Sequence, residues 1–110
     1  MKLIVAIVQD EDAPNLANVL MEAKFGVTKL ATTGGFLRAG NTTLISGVED
    51  ERLPEALSLI ERECRSRQQV VTVSTMPMGG MAAGYAPYPV NVTVGGATVF
   101  VLEVSQFLKV

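Results

Sequence analysis

The order of hydrophobic patterns along the chain constrains its fold more than any other feature. Leu3–Val8 is a continuous, partly β-branched run, typical of a strand buried on both faces. Two later segments, Leu16–Ala23 and Leu53–Cys64, carry apolar residues at helical spacing instead. Further strand-like segments are Val27–Thr33, Asn41–Val48, Val90–Val94 and Thr98–Val104, and Gln68–Val73 could extend as another. Gly95 and Gly96 predict either a tight hairpin or a bulge between the last two strands.

This order of strand, helix, strand, strand, helix, strand predicts an α+β fold. It is the split βαβ pattern of the ferredoxin-like βαββαβ fold, an antiparallel sheet with both helices on one face. With 110 residues, the chain has room for one domain, which we expect to span residues 1–110. Because no third helical pattern exists to cover the other sheet face, and 48% of the residues are hydrophobic, self-association is expected to cover it.

Several classes of site and partner are excluded by composition. Without histidine and with one cysteine, the chain cannot form a histidine-based catalytic site, a His-containing metal site or an internal disulfide. Cys64 lies on the apolar stripe of the second helix, so we expect it to be a packing residue. The net charge of -2 disfavours nucleic-acid binding. Asp10–Asp12 and Glu49–Glu51 precede the helices, where acidic residues are typical capping and surface charges.

We therefore predict no catalytic residues, no metal ligands and no enzymatic activity. The N-terminal apolar run stops at Gln9 without a cleavage region, so it is not expected to be a signal peptide. No stretch approaches the roughly 20 apolar residues of a membrane span. These observations predict a cytoplasmic protein without a membrane partner.

A window without acidic residues, Ala23–Val48, is the first candidate binding segment. It contains the cations Lys24, Lys29 and Arg38 together with glycines and threonines, which suit a small anion. The alternative is a threonine-rich hairpin with a glycine turn. Phe36, set among the glycines of this window, could stack on a planar base or pack on a neighbouring subunit.

A second candidate segment, Gln68–Leu102, contains no charged residue. Its middle, residues 76–88, is rich in methionine, tyrosine, glycine and proline, and this composition suits an adaptable apolar surface for a protein partner. The alternative is a loop that folds back over its own oligomer.

Four segments together resemble one known family: Ile7–Asp10, Thr28–Thr43, Gly47–Arg52 and Val94–Val101. They are similar to the PII-like cyclic-di-AMP receptors, which are related to the nitrogen-regulatory PII proteins. The resemblance implies a ferredoxin-like homotrimer with one cyclic dinucleotide in each cleft between neighbouring subunits. It also implies loops that rearrange on ligand binding and signal to a downstream protein, with no cofactor and no catalysis.

Residue by residue, the resemblance implies that Thr28 hydrogen-bonds the ligand and Phe36 stacks near an adenine. Leu37 would close the pocket, Asn41 would bind a polar edge or a phosphate, and Gly47 would offer backbone contacts. Further members of the implied site are Val27 and Gly35.

Gly26 stands where such receptors usually carry an arginine, so Lys24 and Lys109 become candidates to supply its charge. Two alternative functions follow. One is a PII-like sensor of a mononucleotide (ATP, ADP or AMP) or another anion. The other is a protein-interaction module that uses residues 76–88, called here the Met/Tyr loop, without a small ligand.

Overall fold

The strands and helices follow the predicted order, with one additional hairpin. The structure, a computed structural model, describes residues 1–31, 40–73 and 88–110. Its helices are α1 (Ala13–Glu22) and α2 (Leu53–Cys64), the latter preceded by a 3₁₀ turn at Asp50–Arg52. Its strands are β1 (Lys2–Gln9), β2 (Thr28–Ala31), β3 (Asn41–Val48), β4 (Arg67–Val73), β5 (Tyr88–Val94) and β6 (Ala97–Glu103).

Four strands form the main sheet in the order β2-β3-β1-β6, and every neighbouring pair is antiparallel. The register pairs Ala6 with Leu44 on β3 and with Val99 on β6. This α+β arrangement is consistent with the predicted ferredoxin-like fold, with β6 in the position of that fold's last strand.

The hydrophobic core lies between the two helices and one face of this sheet. Alternation along β1 buries Ile4, Ala6 and Val8, while the residues between them are only half-buried. The helices contribute their predicted apolar stripes, including Leu16 and Ile60. The core residues are Ile4, Ala6, Val8, Ala13, Leu16, Leu20, Phe25, Leu44, Val48, Ala56, Ile60 and Cys64.

Strands β4 and β5 form a separate two-stranded sheet, with Arg67 paired to Val94 and Val73 paired to Tyr88. The predicted hairpin or bulge between the last two strands is therefore wrong, because β5 pairs with β4 and β6 pairs with β1. Gly95 and Gly96 connect the two sheets with φ angles of 84° and 92°. Only glycine adopts such angles without strain, so this pair changes the chain direction between the sheets.

The acidic residues before α1 do not act as the expected helix caps. Asp12 occupies the N-cap position, but its side chain makes no capping hydrogen bond. It is instead buried beside Arg67 of β4, at 3.0 Å between Nη2 and Oδ1. A long-range ion pair has replaced the local interaction that the sequence predicted.

Cys64 is 1% exposed within the core, which confirms its packing role. Burial, together with the nearby carboxylates of Asp12 and Glu63, raises the pKa of its thiol to about 12. Because the thiolate is the reactive form, this cysteine is not a nucleophile at neutral pH.

Candidate functional site

The sheet face opposite the helices, called here the open face, carries both apolar residues and predicted ligand residues. The register places Leu3, Val5 and Ile7 of β1 on this face, next to Ile45 of β3. Its most exposed apolar side chains are Leu30, Phe100 and Leu102. No helix in the described ranges covers the open face, as the sequence predicted.

Thr28 and Gly47 lie near each other on the open face. Thr28 pairs with Ile45, so Gly47 is its diagonal neighbour, about 7–8 Å away between Cα atoms. Both residues are exposed. A Cβ at Gly47 would meet only Met1 Cε, at 3.8 Å. The missing side chain therefore leaves open space on the same face as Thr28.

The segment that leads into β2 is held by two side chains. Ser46 Oγ donates a hydrogen bond to the Gly26 carbonyl at 2.6 Å. Arg52 donates to the Ala23 carbonyl at 2.7 Å and lies over the Phe25 ring, 4.0 Å from its centroid. These contacts fix the backbone just before Thr28.

Lys24 ends helix α1 in the left-handed region, with a φ of 71°. Its backbone N–H donates to Met21 O and that of Phe25 donates to Leu20 O, each at 2.9 Å, which is the Schellman termination. The Lys24 side chain is exposed near Gly26. Lys24 is therefore available to an anion at this end of the sheet, although its backbone conformation would suit glycine better.

Asn41 lies at the other end of β3. It pairs with Gln9 and is 5% exposed. Along β3 it is four residues from the partner of Thr28, about 13 Å at 3.3 Å per residue. Thr28 and Asn41 are therefore well separated along the open face.

The other predicted residues divide into three groups. Val27 packs against the core, and Lys29 pairs with the buried Leu44, so both lie on the helix face of the sheet. Lys109 is exposed in the C-terminal segment, which leaves the sheet at the end where Gly47 lies. Gly35, Phe36, Leu37 and Arg38 lie outside the described residues, as does most of the Met/Tyr loop.

Comparison with known proteins shows the family of the chain. The sequence model of the cyclic-di-AMP receptor family matches residues 1–110. The chain belongs to the cyclic-di-AMP receptor family. It is also similar to a crystal structure of a functionally unknown protein from Pediococcus pentosaceus, with 42% sequence identity and a TM-score of 0.79. That match covers 99% of this chain and 96% of the other.

Membership in the cyclic-di-AMP receptor family associates the chain with second-messenger binding and signalling, as the sequence predicted. Cyclic di-AMP is the family's ligand. The family is one of receptors and is not a known class of enzyme. Within the described ranges, no cluster of side chains could hold a metal ion, and no helix is long and apolar enough to cross a bilayer.

Two clefts formed by described residues lie away from Thr28 and Gly47. One, of about 420 Å³, lies between α2 and the start of β6 and is lined by Ile60, Cys64 and Val99 among others. None of the predicted ligand residues lines it. The other, of about 310 Å³, is formed by Gln9–Glu11 and Gly40, beside Asn41. Its carboxylates disfavour a phosphate, so the anionic part of a ligand is better placed towards Lys24.

Three side chains that shape this region were not predicted as part of it: Asp10, Arg52 and Arg67. Asp10 accepts a hydrogen bond from Thr42 Oγ1 at 2.5 Å, and a Cβ on Gly40 would collide with the same carboxylate. Arg52 and Asp10 both lie in segments that carry the family resemblance. The family resemblance was therefore the one sequence signal that pointed to Asp10 and Arg52, because the residues that they contact are distant in sequence.

Proposed function

We propose that this chain is a homotrimeric, PII-like signalling protein that binds cyclic di-AMP in the clefts between subunits. Residues 1–110 form its single domain, and the protein acts in the cytoplasm. Ligand binding rearranges the loops, which relay the signal to a downstream protein that remains to be identified.

The observation that carries this proposal is the composition of the open face. Apolar side chains at its centre, such as Val5 and Ile45, are half-buried in the isolated chain, and Leu102 is 49% exposed. Packing against other copies would remove this surface from water. Thr28 and Gly47 lie on the same face, so a ligand bound there would be close to a neighbouring subunit.

Within this site, Thr28, Asn41 and Gly47 provide hydrogen bonds and close backbone approach. Val27 directly precedes Thr28 in the chain. Gly35, Phe36 and Leu37 complete the pocket, with Phe36 stacking on an adenine. Cations that can balance the phosphates are Lys24, Arg38 and Lys109. Lys29 lies on the helix face of the sheet, so it is not expected to contact a ligand on the open face.

Position 26 offers a gain-of-function test of this site. Continuing the β2–β3 register places Gly26 opposite Gly47, and a Cβ there would meet nothing within 4 Å. Its φ is not positive, so a larger side chain fits without backbone strain. Gly26→Arg should tighten cyclic di-AMP binding by about ten- to hundredfold, because a charge-assisted contact contributes about 1.5–3 kcal/mol.

Isothermal titration of Gly26→Arg against Gly26→Gln is the direct comparison. The glutamine matches the length of the arginine roughly but lacks its charge, so its affinity should stay within about threefold of wild type. Equal affinities for both variants would contradict the placement of the ligand beside position 26.

A thermal-shift panel of cyclic di-AMP, ATP, ADP and AMP separates the alternative functions. Only a ligand that binds the native state stabilises it. We expect cyclic di-AMP to give the largest shift. A larger shift with a mononucleotide would favour the PII-like mononucleotide sensor, and no shift with any nucleotide would favour the interaction module.

A further inference from the structure

The short connection between β1 and α1, residues Gln9–Asp12, contacts both the start of β3 and the base of the β4–β5 hairpin. On one side it holds the start of β3. The Asp10 N–H donates to the Gly40 carbonyl at 3.0 Å, and Thr42 Oγ1 donates to Asp10 Oδ1 at 2.5 Å. Gly40 directly precedes Asn41, the first residue of β3.

On its other side the same connection holds the base of the β4–β5 hairpin. The Gly95 N–H donates to Gln9 Oε1 at 2.9 Å, and this hydrogen bond holds the end of β5 in place. Arg67, the first residue of β4, donates through Nη2 to Asp12 Oδ1 at 3.0 Å. Both strands of the hairpin are therefore attached to Gln9–Asp12 where they leave the body of the protein.

The connection itself is well constrained. The Asp12 N–H donates to Gln9 O at 2.9 Å, and the Leu16 N–H donates to Asp12 O at 3.1 Å, so the turn is continuous with α1. The Asp12 side chain is 7% exposed. A displacement at the hairpin base would disturb the hydrogen bond between Arg67 and the buried Asp12 carboxylate, which is costly to break.

We propose that Gln9–Asp12 is a coupling segment, in which Asp10 and Asp12 are positioning residues that link the ligand-binding end of β3 to the base of the β4–β5 hairpin. The inference rests on the proposed function, because it concerns how cyclic di-AMP binding at the proposed site changes the hairpin. A ligand that contacts Asn41 acts on a strand end that Asp10 holds. The hairpin base shares that anchor through Arg67 and Gly95.

Hydrogen exchange of the ligand-free protein tests the coupling from both directions. Arg67→Gln removes the contact on the hairpin side and should accelerate amide exchange in residues 41–44 by at least about fivefold, the lower range of allosteric coupling. Thr42→Val removes the contact on the β3 side and should accelerate exchange in residues 67–71. Arg62→Gln, which breaks the 3.0 Å ion pair with Glu63 on α2, is the matched control.

The two reciprocal effects, with neither present in Arg62→Gln, support the coupling segment. If each variant changes exchange only in its own element, or if the control matches them, the inference is overturned. Because Thr42→Val replaces a side chain by one of the same shape, it decides the question even if Arg67→Gln is too unstable to measure.

Hydrogen exchange of the same samples with cyclic di-AMP added tests whether ligand binding affects the hairpin through Gln9–Asp12. In the wild type it should protect both residues 28–31 and the hairpin strands. In Arg67→Gln, protection of residues 28–31 should remain while protection of the hairpin is reduced at least about fivefold. Undiminished hairpin protection overturns the relay through Gln9–Asp12. Absence of protection anywhere in the wild type refutes the proposed function instead, and the ligand-free comparison still decides the coupling.

Discussion

Leu102→Lys tests whether the open face is the surface through which copies of the chain assemble. Leu102 pairs with Leu3, so its side chain lies on the open face, where it is 49% exposed. Its neighbour Val101 pairs with Ile4 and lies on the helix face, with 41% exposure. The two residues share a strand and a degree of exposure but differ in the face that they occupy. Val101→Lys is therefore the matched control.

The expected loss of assembly free energy follows from the apolar surface of Leu102 that a trimer would bury. Fully burying a leucine side chain contributes about 1.5–3 kcal/mol, and the half of Leu102 still exposed corresponds to about 1 kcal/mol per chain. A trimer contains three copies, so truncation alone would cost about 3 kcal/mol, about a hundredfold in the assembly constant. Burying a lysine ammonium adds several kcal/mol for each ion, so the lysine variant should not assemble at micromolar concentration.

Sedimentation velocity at several concentrations measures the effect. We expect wild type and Val101→Lys to sediment as trimers and Leu102→Lys as a folded monomer with unchanged far-UV circular dichroism. A trimeric Leu102→Lys, or equal dissociation of both variants, would refute the assignment of the open face as the interface.

Three further predictions concern stability, each measured by urea unfolding at one protein concentration. Gly96→Ala should lower the free energy of unfolding by about 1–2 kcal/mol, because alanine is strained at this positive φ. Gly95→Ala should lower it by about 1–3 kcal/mol more, because its Cβ would also lie 2.5 Å from the Arg65 carbonyl oxygen. Lys24→Gly should raise the unfolding free energy by about 1 kcal/mol, since glycine relieves the left-handed strain. Stability should fall as pH rises from about 9 to about 12, because the unfolded state releases the Cys64 proton first, and Cys64→Ala should flatten this dependence.

Each of these has an outcome that would contradict it. Equal costs at positions 95 and 96 would show that the contact with the Arg65 carbonyl relaxes freely. A destabilised Lys24→Gly would mean that the lysine side chain contributes more than its backbone conformation costs. An identical alkaline stability profile for Cys64→Ala and wild type would indicate that the thiol is solvated.

The strands and helices were predictable because burial on one face imposes a period on the sequence. The central strand β3 matches its predicted bounds, Asn41–Val48, and both helices present the expected stripes. That no helix of the described residues covers the open face was also predictable, since the sequence contains only two helical patterns and both pack on the other face. These features depend on the spacing of hydrophobic residues within short segments, which can be seen directly in a single sequence.

Strand pairing across the last third of the chain could not be predicted in the same way. Two glycines between two strand-like runs have the same local signature whether the runs pair with each other or belong to different sheets. Here β5 pairs with β4 and β6 pairs with β1, nearly a hundred residues earlier in the chain. That choice depends on contacts that local sequence does not encode.

The same limit applies to the candidate site. Asp10 and Asp12 have the local composition of helix caps, yet their partners Thr42 and Arg67 are 32 and 55 residues away. Thr28, Asn41 and Gly47 entered the site through the family resemblance. Their common position on the open face became visible only once the strand register was known.

Isothermal titration of the wild-type protein with cyclic di-AMP tests the central claim most directly. We expect saturable binding with one ligand per chain in a sample that sediments as a trimer. A correctly folded trimer that releases no heat and shows no thermal stabilisation with cyclic di-AMP at about 100 µM protein, well above the micromolar Kd range of moderate binders, would contradict it.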